Sequence, residues 1–151
     1  MVGVVMSYRL APEFQHPEQV KDVARAIGWI HRNITRYGGD PNDVTIVGHS
    51  AGAHLAALCL SEGRWLREQG LVAATTALEH PWCEGDARPS PAVVTGLVGL
   101  SGVYDVPRMA MNSVGAMLAR TAFGEGKRAW VAASPVHRVQ DSAGGWAAAA
   151  T

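Results

Sequence analysis

Val44-Thr45-Ile46-Val47-Gly48-His49-Ser50-Ala51-Gly52-Ala53-His54-Leu55-Ala56 is the stretch whose reading decides the fold. Val44–Val47 is a short, β-rich apolar run and reads as a buried strand. Gly48-His49-Ser50-Ala51-Gly52 then matches G-x-S-x-G. From Ala51 to about Leu60 the residues are nearly apolar all round, as in a helix at the centre of a domain. A strand passing through this pentapeptide into a helix is a nucleophile elbow. Its serine sits on a tight turn in a strained backbone conformation, which projects Oγ from the C-terminal edge of the sheet. The flanking glycines are needed where strand and helix backbones approach too closely for a side chain. Ser50 is therefore the candidate nucleophile, with Gly48 and Gly52 as the elbow glycines. The Ala51 N–H, at the positive end of the following helix, is a candidate donor to an oxyanion. The structural alternative is a glycine-rich turn with a solvent-facing serine.

Upstream, Val2–Tyr8 is another short apolar run and reads as a strand buried on both faces. Pro17 opens a helix, with Glu18 in its first turn. Val20, Val23, Ala24, Ile27, Ile30 and Ile34 recur at three- and four-residue steps and give it one apolar face. Gly38 and Gly39 end it in a left-handed cap, and Asp40-Pro41-Asn42-Asp43 is a turn. Downstream, Gly63–Pro91 is irregular apart from a short helix around Trp65–Gln69. Ala92–Leu100 reads as the third buried strand, and Met109–Ala122 as a helix weakened by Gly115. Beyond Val139 the chain becomes a low-complexity tail. The expected organisation is one domain over 1–139 and a disordered tail over 140–151. Strand and helix alternate, which predicts an α/β fold with a three-stranded parallel sheet flanked by helices.

Composition excludes several classes of function. The chain has 151 residues, 48% hydrophobic and 17% charged, which suits a globular domain burying ~70% of its unfolded surface. Thirteen basic residues balance thirteen acidic ones, so no basic surface is left to neutralise nucleic-acid phosphates. Cys59 and Cys83 do not form a disulfide framework. Met1–Tyr8 lacks the charged start of a signal peptide, and no run approaches the ~20 apolar residues that cross a bilayer. The default expectation is a cytoplasmic protein.

In combination, three runs resemble the esterase/lipase branch of the α/β-hydrolases: Tyr8-Arg9-Leu10-Ala11-Pro12-Glu13, Tyr37-Gly38-Gly39-Asp40-Pro41 and Gly48–Ala56. That branch includes hormone-sensitive-lipase-like carboxylesterases, kynurenine formamidases and isoprenylcysteine methylesterases. Leu100-Ser101-Gly102-Val103-Tyr104-Asp105 and Ser134-Pro135-Val136 fit the same pattern. The resemblance implies that the three strands are the fourth to sixth of an eight-stranded sheet. It also implies hydrolysis of a small-molecule carboxylic ester or amide through an acyl-enzyme on Ser50, with no metal and no cofactor. The family's His-Gly-Gly oxyanion loop does not occur here, and its triad acid and histidine fall after strands beyond this chain. The expectation is an inactive fragment, truncated at both ends. Its alternatives are a non-catalytic binding module and a truncated gene product.

Ser50, Asp105 and His137 have the chain order of a triad, but Asp105 reads as a turn residue and His137 as part of a loop. His49 and His54 read as packing residues. His80, Cys83, Glu84 and Asp86 contain one His-x-x-Cys pair without a second, which favours a surface loop over a metal site. Arg9 and Glu13 are expected to pair. Cys59 is expected to be a small core residue. Five scattered tryptophans read as core and rim residues rather than a base-stacking platform.

Overall fold

The computed structural model describes residues 1–71 and 94–142, with only the backbone of 139–142. Its elements run α1 (Glu18–Asn33), a 3-10 turn (Ile34–Tyr37), β1 (Thr45–His49), α2 (Ala51–Ser61), α3 (Arg64–Arg67), β2 (Gly96–Leu100), α4 (Val106–Met109), α5 (Ser113–Phe123), α6 (Lys127–Ala132) and α7 (Pro135–Ser142). β1 and β2 form a parallel pair in register from Thr45↔Gly96 to His49↔Leu100.

The apolar face of α1 follows the sequence pattern. Val20, Val23, Ala24 and Ile27 are buried and pack with Leu55, Leu58 and Cys59 of α2 and with Trp65 and Leu66 of α3. Helix α2 is the central element, touching both strands, α1, α3 and α7. Its all-round apolar sequence follows from that position. Pro17 stands at the N-cap of α1, one residue earlier than the expected first helical position. Gly38 closes the 3-10 turn at φ 80° by donating to the carbonyls of Ile34 and Thr35.

The N-terminal segment is fastened by Arg9. Its Nε and Nη2 donate to the two carboxylate oxygens of Asp22 at 2.8 Å each, and its Nη1 meets Glu18 Oε2 at 2.8 Å. The expected Arg9–Glu13 pair does not form, because one turn of α1 presents two carboxylates four residues apart to the same guanidinium. The bidentate bond from Arg9 holds the Asp22 carboxyl below its usual range.

Three further expectations are corrected. Val2–Tyr8 is not a buried strand: Val5 is 99% exposed and no backbone bond joins Met1–Tyr8 to another described segment. Two strands therefore pair among the described residues where three were expected. A strand needs a neighbour at ~4.8 Å, and a groove separates this segment from β1. Neither paired strand has a fully buried face: Ile46 and Gly48 are half-buried, and Val47 and Val98 lie side by side at 66% and 46% exposure. The expected single helix over Met109–Ala122 is two helices. Asn112 interrupts it and caps α5 by accepting from the Gly115 N–H at 2.8 Å. Downstream, α7 carries the chain to Ser142, and 143–151, most of the expected tail, lies outside the described residues.

Gly115 gives a test of this packing. A Cβ there would collide with the Met109 carbonyl oxygen. Alanine has the better helix propensity by ~1 kcal/mol, but forcing the turn apart costs ~1–3 kcal/mol. Gly115→Ala is expected to lower the urea midpoint, whereas a raised midpoint would show that α4 and α5 do not approach this closely.

Candidate active site

The elbow is built where β1 ends and α2 begins. Thr95 N–H donates to Val44 O at 2.8 Å below the ladder, and Ser50 N–H donates to Leu100 O at 2.8 Å above it. The peptide of Ser50 is therefore held as one more rung of the sheet. The residue itself has φ 52° and ψ −116°, a conformation that a side-chain-bearing residue adopts only under constraint. A second constraint comes from the helix side, where Ser50 O accepts from His54 N–H at 3.1 Å. The result is an exposed serine lifted off the end of the strand.

The two elbow glycines differ. A Cβ on Gly48 would stand 2.6 Å from Ala53 N and 2.7 Å from Gly52 C, so strand and helix do approach too closely for a side chain. A Cβ on Gly52 would meet nothing within 4 Å. The crowding argument that predicts glycine on both sides of Ser50 holds within the described residues only for Gly48.

Ala51 is the first residue of α2, and its N–H has no backbone partner among the described residues. It is one of the free donors that a helix start always leaves, so it is available to a developing negative charge beside Ser50.

The histidines are dispersed. His49, at the end of β1, is exposed. His54 is 3% exposed, packs edge-on against Phe123 and has Nε2 2.8 Å from Ala133 O. Burial pushes its pKa down, so it is a neutral packing residue. Asp105 caps α4 by accepting from Arg108 N–H at 3.0 Å. His137 lies on α7 rather than in a loop, because Ser134 Oγ ends the preceding segment by donating to Trp130 O and accepting from Val106 N–H. Its Nε2 is 4.0 Å from Asp105 Oδ1, too far for a hydrogen bond. No hydrogen bond joins Ser50 to either residue among those described.

Sequence reasoning passed over Ser101 as a residue in its own right. It too has φ 52°, immediately after Leu100, so both strands end on the same level in a strained serine. The available signal was an apolar run followed by serine, present twice. The glycines around it, Gly99 and Gly102, leave room for the Tyr104 ring.

Cys59 is fully buried, which pushes its thiol up to about 12 and makes it a core residue. His80, Cys83, Glu84, Asp86, Trp82 and Trp146 lie outside the described residues. Among the described residues no three metal-ligating side chains cluster, and no helix is long and apolar enough to cross a membrane.

A family model described as an α/β-hydrolase fold matches residues 1–150. Esterase LipQ of Mycobacterium tuberculosis is 33% identical over 143 residues, covering 94% of this chain and 32% of the relative. Isoprenylcysteine α-carbonyl methylesterase ICME of Arabidopsis thaliana is 29% identical over 151 residues, covering 98% and 32%. The crystal structure of esterase B from Lactobacillus rhamnosis aligns with a TM-score of 0.64 at 21% identity, over 89% of this chain and 40% of that one. The chain thus spans about a third of the length of these curated relatives.

Two outcomes follow from this geometry. Gly48→Ala should disrupt the elbow, abolishing cooperative unfolding or lowering its midpoint by several kcal/mol-equivalents of denaturant (about 1–3 for overpacking, with strain added). Gly52→Ala should be neutral or stabilising, by up to ~1 kcal/mol; equal losses at both positions would contradict the asymmetry.

The second outcome concerns His16, which packs against Trp65 and Phe123 with Nδ1 buried and unpaired. Burial pulls its pKa down to about 4. A folded pKa below the unfolded value means that the unfolded chain takes up the proton first. Stability is therefore complete above pH ~6.5 and falls as pH drops towards about 4. Urea midpoints between pH 7 and 4 should show this decline, and His16→Gln should flatten it. An unchanged slope in that variant would remove His16 as a cause.

Proposed function

We propose, since this chain belongs to the α/β-hydrolase fold family, that it carries the nucleophile of a carboxylic-ester hydrolase and that Ser50 forms the acyl-enzyme. The observation that carries the reading is the backbone of Ser50. It is an exposed serine at φ 52° between a parallel strand and a central helix, tied to both by its own N–H and C=O. A nucleophile presented at a sheet edge needs a serine in this strained conformation. The esterase names of the relatives support the ester as substrate class.

The chemistry assigns few parts. Ser50 Oγ attacks the acyl carbon, and the carbonyl electron pair moves to oxygen, where Ala51 N–H stabilises it. The Oγ proton passes to a base, then to the departing alcohol as the C–O bond breaks. Water repeats the sequence and frees the acid. No described histidine ring is hydrogen-bonded to Ser50, so the base and the acid that orients it come from outside the described residues. A second substrate class, amides, uses the same steps with a poorer leaving group.

Loss of the base from a serine triad costs on the order of 10⁶ in kcat, and loss of one oxyanion donor ~10²–10³, not additively. The 151-residue chain is accordingly expected to hydrolyse p-nitrophenyl acetate no faster than its Ser50→Ala variant. Added imidazole, as an external base, should raise acetylation of Ser50 above that of every other serine, read by peptide mapping. Ser50-dependent turnover without imidazole would place a base within the 151-residue chain. Acetylation spread evenly over the serines would sink the nucleophile assignment.

A further inference from the structure

Helix α5 buries its small residues and displays its large ones. The residues of α5 that are buried, Gly115 and Ala119, are small. Val114, Met117 and Leu118 are 64%, 58% and 50% exposed, and Met111, just before the helix, is 84% exposed. Positions 114, 117, 118 and 121 follow the three- and four-residue steps of a single stripe. Thr121 completes it, and its Oγ1 donates to Met117 O, so its hydroxyl is satisfied within the helix. Scattered apolar side chains on a surface need no explanation, but a continuous stripe of them marks a face that meets something.

The charge around the stripe identifies what it meets. The chain as a whole is balanced, yet 106–138 carries five of its thirteen basic residues and one of its thirteen acidic ones. Arg108 stands before the N-terminal end of α5. Arg120 lies in its last turn, and Lys127 and Arg128 follow at the start of α6. All four are exposed, and none makes an ion pair with a described residue. The carboxylates of this region are Glu125, which is exposed, and Asp105, which caps α4. We propose that α5 is a docking surface for an anionic lipid bilayer. The helix lies in the plane of the interface, its stripe enters the boundary between headgroups and acyl chains, and the four cations meet lipid phosphates.

Eleven residues make ~16 Å of helix, too short for a hydrocarbon core ~30 Å thick, so the contact runs along the surface. A second copy of the chain fits this face poorly. Cations stand at both ends of the stripe, so stripe against stripe sets like charges together whether the helices run parallel or antiparallel. The stripe also stands apart from the groove beside β1. A bilayer, unlike the anchor side chain of a protein partner, needs no pocket to receive it. None of the residues assigned to ester hydrolysis lies on α5, so the proposal stands apart from that reading.

The test is flotation of the 151-residue chain with vesicles of phosphatidylcholine, alone or mixed equally with phosphatidylglycerol. Binding to the anionic vesicles is expected to be at least about tenfold tighter. It should weaken about tenfold or more when NaCl rises from about 0.05 to about 0.5 M, because salt screens the cations. Met117→Gln combined with Leu118→Gln should weaken binding about tenfold or more. Arg120→Gln combined with Arg128→Gln should reduce the preference for anionic vesicles, and Glu125→Gln should tighten binding about three- to fivefold. All five positions are exposed, so unchanged circular dichroism is expected. If a double variant unfolds, Glu125→Gln and the salt series decide. Absence of binding to the anionic vesicles would overturn the proposal. So would equal binding to both vesicles, indifference to salt, or binding unaltered by Met117→Gln with Leu118→Gln. A dimer in sedimentation that is lost with that pair and indifferent to vesicles would assign the stripe to a second copy and overturn the proposal equally.

Discussion

Everything at the candidate site depends on one close approach: the backbone of Gly48 against the first turn of α2. With 2.6 Å between a Cβ position and the Ala53 nitrogen, any side chain at 48 would drive the helix off the strand. Because they are this close, the chain must reverse within a single residue, and Ser50 takes up that reversal at φ 52°. The strain persists because the sheet holds its N–H through Leu100 and the helix holds its C=O through His54. The same turn leaves the first N–H groups of α2 without intrahelical partners beside the hydroxyl. An exposed serine and unpartnered helix N–H groups are thus two consequences of a single packing contact.

That contact also explains the composition of α2. A helix pressed onto the sheet at its N-terminus is surrounded along its length by α1, α3 and α7, so no side of Ala51–Ser61 is left for charge. His54 fits there only because Ala133 O accepts or shares its ring proton and burial keeps it neutral. A group so placed serves the core, which removes it from the chemistry although it lies four residues from Ser50.

The sheet is less self-sufficient than the helices. Helix packing satisfies itself locally, by i→i−4 bonds and one apolar face. A strand satisfies itself only through neighbours on its edges and its faces. Among the described residues β1 has one neighbour of its own kind, and Val47, Val98 and Leu100 are exposed. Val2–Tyr8 shows the same dependence in a sharper form. Its sequence suits a buried strand, yet the segment lies exposed, fastened among the described residues where Tyr8 reaches the core and Arg9 reaches Asp22 and Glu18. Intrinsic β-propensity cannot supply the partner that a strand needs.

What the sequence determined by itself is what short-range physics controls. The apolar period of α1, the all-round burial of α2, the left-handed Gly38 and the elbow pentapeptide were legible because each follows from a residue's own backbone preference or from contacts three and four residues apart. Tertiary structure alone decided the partner of Arg9, the break at Asn112, the cap role of Asp105, the difference between Gly48 and Gly52, and the second strained serine at Ser101. It alone decided, too, that Val2–Tyr8 pairs with no other described segment. Each of these depends on which group stands across a gap from residues distant in the chain, and linear spacing carries no record of that distance.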